Sequence, residues 1–513
     1  MFLPDRMIAS KNLTAEAVEL AEELLVRSKS LETASERSEG EKLAALMDDP
    51  QGKELTFHLT DRILRIPVSK RAAKLFRDLL KTYGAPAYLK PFDRFLMKLG
   101  AAASSYLPSV VMPAISRRLR KESKDVILPA DPKSLAAHTA FRQRQHAEIN
   151  LNVLGEAVLS EKEAQHRLQQ NMDALSSGQA TYISVKLSAI FSQINLTAYD
   201  ETRDVLAERL RLLYRAAQAQ TPSAFVNLDM EEYRDLQLTI DVFKMVLSEP
   251  EFVSLRAGVV LQSYLPDAFP IQQELTEWAK ERGAPIKIRL VKGANLAMER
   301  VDAVLHHWEQ APYGTKTEVD ANFKRMLNFA CLPENAPHVN LGVASHNLFD
   351  LSYALVVREE QGVEGFVEIE MLEGMASPQA RAVLEKAEKV LFYAPVVGED
   401  DFEAAIAYLI RRLDENTTEG NFLRDLFEIS PGNLAWTRQR EAFLEACASQ
   451  DLISVGPWRC QNRLTEDSRC QEEGFANAAD TDFSLSLRIR NGCPSYSENL
   501  FLKWIRASSM ILS

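Results

Sequence analysis

Between Ile149 and Val396 the sequence repeats one unit eight times: a short apolar run capped by polar or charged residues, in most cases followed by an amphipathic helical stretch. The runs are INLNVL from Ile149, TYISVKL from Thr181, AFVNLDM from Ala224, GVVLQS from Gly258, IKIRLVK from Ile286, HVNLGVAS from His338, GFVEIEM from Gly365 and VLFYAPV from Val390. Runs apolar on both faces suit parallel strands covered by helices, and regular strand-to-helix alternation predicts an α/β fold, a closed (β/α)8 barrel. Such barrels carry their chemistry at the carboxyl ends of the strands. The residues there are Glu156, Lys186, Asp229, Gln262, Arg289, Lys292, Ser345, His346, Glu370 and Tyr393, so charge gathers at one rim.

A barrel of this type takes roughly 250 residues, and the chain has 513. The remainder divides into an N-terminal all-helical arm (1–130) before the barrel (131–432) and an irregular C-terminal tail (433–513). The arm reads as several amphipathic helices from Thr14 to about Lys124, which need a partner surface, either the barrel or a second subunit in a homo-oligomer. After Pro431 the periodicity is expected to fade. A net charge of −12 argues against nucleic acid as a partner, and the RRLRKESK patch at Arg117 reads as a solvated helix end. No apolar stretch approaches the roughly 20 residues that span a bilayer, and the N-terminus lacks a secretory pattern, so a cytoplasmic location is expected. Five cysteines at spacings without a CxxC pair support neither zinc nor a disulfide framework, and no second His stands at ligand spacing to His346, so no metal is expected.

In IRLVKGANLAMER a strand ends, Lys292 and Gly293 turn the chain, and a helix begins near Asn295. Cations beside a glycine turn at a helix amino end suit an anion. Arg411 and Arg412, on the stretch following the eighth run, could clamp a carboxylate through their guanidinium forks, with Lys186 as a third cation. Of the acids, Glu156 suits an orienting role and Asp229 a polar role near a reacting centre, while Ser345, His346 and Asn347 supply donors suited to a cofactor.

These motifs together have a known likeness. VLGEAVLS at Val153, ISVKLSAI at Ile183, NLDMEEYRD at Asn227, VLQSYLPDA at Val260, RLVKGANLAMER at Arg289, VASHN at Val343, EMLEGM at Glu370, YAPV at Tyr393 and YLIRRLDEN at Tyr408 resemble, in order, the FAD-dependent proline dehydrogenase domain of the proline utilization A family. The resemblance implies FAD at Asp229, Gln262, Arg289, Lys292, Gly293, Ala294, Ser345, His346 and Glu370. It implies proline at Lys186, Leu372, Tyr393, Arg411 and Arg412, with Asp229, Lys186, Tyr393, Arg411 and Arg412 serving catalysis. It further implies oxidation of L-proline to 1-pyrroline-5-carboxylate, with electrons passed to a membrane quinone at the inner face. FANAADTDFSLSLRIR at Phe475 resembles the opening of that family's aldehyde dehydrogenase half, after which the chain departs; the second activity is therefore expected to be absent, leaving the product to a separate pyrroline-5-carboxylate dehydrogenase. Two departures stand out: Asn295 replaces an aromatic residue common after KGA, and Glu370 stands where Gln is frequent. A rival expectation is a catalytically silent chain acting only as an oligomerisation remnant; another is a phosphate-binding sugar barrel without flavin.

Overall fold

The computed structural model describes residues 4–63, 65–122, 127–154, 158–178, 180–398, 405, 408, 420–426, 428–462 and 479–485. Each of the eight apolar runs forms a strand. After a two-residue β1 (Leu128–Pro129) come β2 (Ala147–Val153), β3 (Tyr182–Lys186), β4 (Phe225–Asp229), β5 (Gly258–Gln262), β6 (Ile286–Val291), β7 (Val339–Ala344), β8 (Val367–Leu372) and β9 (Val390–Val397). All pair in parallel in chain order, and β9 pairs with both β2 and β8, which closes the barrel. The extra strand β1 continues the ladder on β9, Leu128 facing Val396. At two residues it is too short to leave a periodic signal in the sequence.

The helices are α1 (Pro4–Leu31), α2 (Ala34–Met47), α3 (Pro50–His58), α4 (Ser69–Tyr83), α5 (Pro91–Ala103) and α6 (Pro108–Glu122), then α7 (Pro132–Gln143), α8 (Glu161–Ser176), α9 (Leu187–Ile190), α10 (Tyr199–Gln218), α11 (Leu236–Leu247), α12 (Ala268–Arg282), α13 (Leu296–His306), α14 (Lys316–Ala330), α15 (Leu348–Glu360) and α16 (Ser377–Ala387). Their apolar stripes meet the outward faces of the strands. In α10, Leu206, Leu210, Leu213 and Ala217 recur at helical spacing and are fully buried. The arm answers its own need for a partner in two ways. Helix α1 packs on α15 and α16, where Arg27 and Arg381 make forked ion pairs with Glu385 and Glu36 respectively. Farther along, Leu55, Leu59, Ile63, Phe76 and Met112 form a small separate core.

Where regularity was expected to fade after Pro431, a helix forms at Leu434–Ser449. Asn433 caps it by accepting from the Trp436 amide, and Trp436 and Phe443, one stripe at i and i+7, bury against Phe349. The signal was present but brief, because only a few apolar positions carry it.

The barrel interior departs from the usual filling of branched apolar side chains. Alternate residues of several strands are polar and buried: Asn150 and Asn152 on β2, Ser184 on β3, Asn227 on β4, Lys287 and Arg289 on β6, and Glu370 on β8. Glycines provide the room. A Cβ on Gly258 would fall 2.3 Å from Asn227 Oδ1.

Candidate active site

Because the strand ends converge, one cavity of about 350 Å³ opens at their carboxyl side. Lys186, Asp229, Gln262, Arg289, Lys292, Gly293, Ala294, Ser345, His346, Glu370, Leu372 and Tyr393 all line it. Twelve positions separated by up to about two hundred residues of sequence thus meet in one space. Arg411, Arg412 and Glu156 lie outside the described residues, but Tyr408, four positions before Arg412, lines the same cavity.

The centre is Asp229. Its Oδ2 accepts the Tyr393 hydroxyl at 2.8 Å, and its Oδ1 accepts from Arg289 Nη1 at 2.8 Å and Asn227 Nδ2 at 3.1 Å. Arg289 also donates to Ser184 Oγ at 3.0 Å and through Nε to Glu370. Burial opposes the Arg289 charge, but Glu370 leads the groups that outweigh it, so the guanidinium is held above its ordinary range. Burial likewise opposes the Glu370 charge, and Arg289 and Lys287 overcome it and keep the carboxyl below its usual range. Glu370 is therefore a carboxylate, an acceptor, in place of the amide that Gln would bring. Burial and then Asp229 push the Tyr393 phenol well above its ordinary value, so it stays protonated as a donor.

Around this centre, Lys186 Nζ donates to Glu231 Oε2 at 2.8 Å. Lys292 Nζ lies 2.6 Å from Asp320 and 2.7 Å from Asp350, with about a quarter of its side chain exposed. Both of these cations therefore arrive already paired. Asp350 is shared with the buried Lys324, and although burial opposes its charge, Lys292 and Lys324 hold it well below the usual range. Gly293 takes φ +118°, and a Cβ there would meet the Tyr264 ring at 2.5 Å, so the turn into α13 requires glycine. Asn295, which lacks the aromatic wall, lines the cavity and donates instead to the Glu231 carbonyl at 2.9 Å. His346 Nε2 accepts the Leu372 amide at 3.0 Å, which places the ring proton of a neutral imidazole on Nδ1.

A family model described as proline dehydrogenase matches residues 135–425, more than half of the chain. The chain belongs to the proline dehydrogenase family. Among relatives, the bifunctional protein PutA of Escherichia coli (strain K12) is 29% identical over 373 residues, 69% of this chain and 27% of that protein. The proline dehydrogenase of Deinococcus radiodurans is 25% identical over 281 residues, 53% of this chain and 79% of that protein. Among solved structures, proline utilization A from Bdellovibrio bacteriovorus, inactivated by N-propargylglycine, matches with a TM-score of 0.75 at 28% identity over 93% of this chain and 47% of that one. That from Corynebacterium freiburgense gives 0.64 at 39% identity, over 79% and 38%. The chain thus spans 19–27% of the length of the bifunctional PutA relatives it matches.

The proline dehydrogenase match runs from α7 through β9 and takes in every strand of the closed barrel and every residue of the cavity. Among the cavity-lining residues that the sequence reading passed over are Asn152 and Met230. Behind the lining stands another, Lys287, buried below Glu370. Polar side chains at alternate positions of otherwise apolar runs were the signal that could have found Asn152 and Lys287.

Proposed function

We propose that this chain is an FAD-dependent proline dehydrogenase that oxidises L-proline to 1-pyrroline-5-carboxylate, with a quinone as the final electron acceptor. The observation carrying the reading is the convergence of Lys186, Arg289, Lys292 and Tyr393 on one cavity within the family match. The cavity fits the cofactor by its unfilled polar groups: among the described residues Arg289 Nη2 and Gln262 Oε1 are buried without a hydrogen-bond partner, one a donor and one an acceptor. In this reading Asp229, Gln262, Arg289, Lys292, Gly293, Ala294, Ser345, His346 and Glu370 hold FAD. The chemistry FAD supplies when bound is acceptance of hydride from the ring carbon beside the proline nitrogen, which loses a proton as the C=N bond forms.

The protein's share is positioning and electrostatics. Lys186, with Arg411 and Arg412, takes the proline carboxylate through charge-assisted bonds. Leu372 and Tyr393 wall the apolar ring, and Asp229 fixes the Tyr393 hydroxyl. No described helix is long and apolar enough to cross a membrane; the proposal places the chain in the cytoplasm, meeting its quinone at the inner face of the membrane.

Proline-dependent dye reduction by the purified protein tests the activity. Arg412→Met is expected to raise the apparent KM for proline about tenfold or more, the size of losing one charge-assisted bond, while flavin content is unchanged. Wild-type proline kinetics in that variant would remove Arg412 from the carboxylate site.

A further inference from the structure

Beneath the cavity lies a cation that the proposed chemistry does not use. Lys287 Nζ sits 2.6 Å from Glu370 Oε1 and 2.6 Å from Glu368 Oε2, with its side chain 7% exposed and the Tyr182 ring 5.1 Å away. A carboxylate as buried as Glu370, facing Arg289 alone, would draw the guanidinium into a two-point fork. Here Lys287 occupies Oε1, so Arg289 reaches only Oε2, through Nε. Its Nη1 goes to Asp229 and Ser184, and its Nη2 is left buried with no partner. Leaving such a donor unsatisfied is costly, and a ligand acceptor would recover the loss. The strand beside the pair is shaped for it: a Cβ on Gly342 would fall 2.0 Å from Glu370 Oε1 and 2.8 Å from Lys287 Cε.

We propose that Lys287 is a positioning residue, which shares Glu370 with Arg289 so that Arg289 keeps one N–H edge for an acceptor on the flavin ring. Resting on the flavin reading above, the inference adds that the ring's electrostatics are set from below by a matched pair, Lys287 and Glu370. The charges continue downward through Glu368 to Lys389, 3.4 Å away at the far end of the barrel.

The test compares wild type with Lys287→Met, Glu370→Gln, the double variant and Lys287→Arg, measuring FAD affinity by titration and the reduction potential of bound flavin by equilibration with reference dyes. Lys287→Met is expected to bind FAD about tenfold more weakly, the loss of roughly one charge-assisted bond, and to move the potential to more negative values, since a nearby positive charge is gone. Glu370→Gln should move the potential the opposite way, the double variant should return toward wild type, and Lys287→Arg should retain most of the affinity. Opposite signs that cancel are a signature of charge that packing alone does not produce. Single variants that leave potential and affinity unmoved, or that shift the potential in the same direction, would overturn the role of Lys287. A wild-type protein that binds no FAD would instead overturn the parent flavin reading, and this inference with it.

Discussion

Asp235 shows how much one side chain can matter near this site. It ends the turn after β4, and burial, opposed by Arg234 and reinforced by Glu232, pushes its carboxyl up to about 7. A carboxyl raised on folding binds protons more tightly folded than unfolded, so its stability cost appears as pH rises through the ordinary carboxylate range and is complete above about 7. Asp235→Asn should therefore stabilise the protein above neutrality, by on the order of a few kcal/mol, with the gain shrinking as pH falls through mild acid and vanishing below the ordinary carboxylate range; thermal melting across that range checks it. At Tyr393 the expectation concerns rate. Tyr393→Phe removes the hydroxyl bonded to Asp229 and should lower kcat/KM for proline about tenfold while FAD stays bound, measured by dye reduction and the visible spectrum. The rim residues were legible because they break apolar runs at strand ends, where a barrel puts its chemistry. Lys287 and Glu368 were not, because they sit inside a run, where counting apolar residues hides a period of two. The pairing of Lys292 with Asp320 and Asp350 was also hidden, since those acids come from later helices.

At the scale of elements, the helix Leu434–Ser449 is a brace. Phe443 lies 5.6 Å from the Phe349 ring and 5.8 Å from that of Tyr353, both on α15, with the Lys324 ammonium 5.3 Å from its centroid. Because Lys324 and Lys292 share Asp350, the brace reaches the cavity through Lys324 and then Asp350. Phe443→Ala should cost about 3–5 kcal/mol in urea unfolding; a loss under 1 kcal/mol would show that the helix is not integral to the barrel wall. Strand positions were readable from sequence because eight apolar runs alternate with helical stretches, whereas the brace was missed because its stripe is narrow. Arm helices were readable as amphipathic, but their docking was not: the Arg381–Glu36 fork joins residues 345 positions apart.

Across the whole molecule, buried charge governs the response to acid. Glu370, Asp350 and Glu373 are each opposed by burial yet held below the usual range, chiefly by Arg289, Lys292 and the His138–Arg142 pair respectively. Each binds fewer protons folded than unfolded, so its stabilisation is present above the ordinary carboxylate range and is lost as pH falls through the depressed values. Melting temperature should rise somewhat from neutrality to about pH 5 as Asp235 takes up its proton, and then fall steeply toward about pH 2; because these pairs are internal, added salt should change the profile little. Buried charge of this kind sets the barrel apart from an apolar-filled one. The fold followed from periodicity, and the proposed function rests on twelve residues that closure of the barrel brings together. Anaerobic titration of the purified protein with L-proline, followed by flavin absorbance, tests that convergence most directly. Bleaching of the bound FAD that saturates with proline is expected. A colourless protein that takes up no FAD, or a flavin band indifferent to proline, would contradict it.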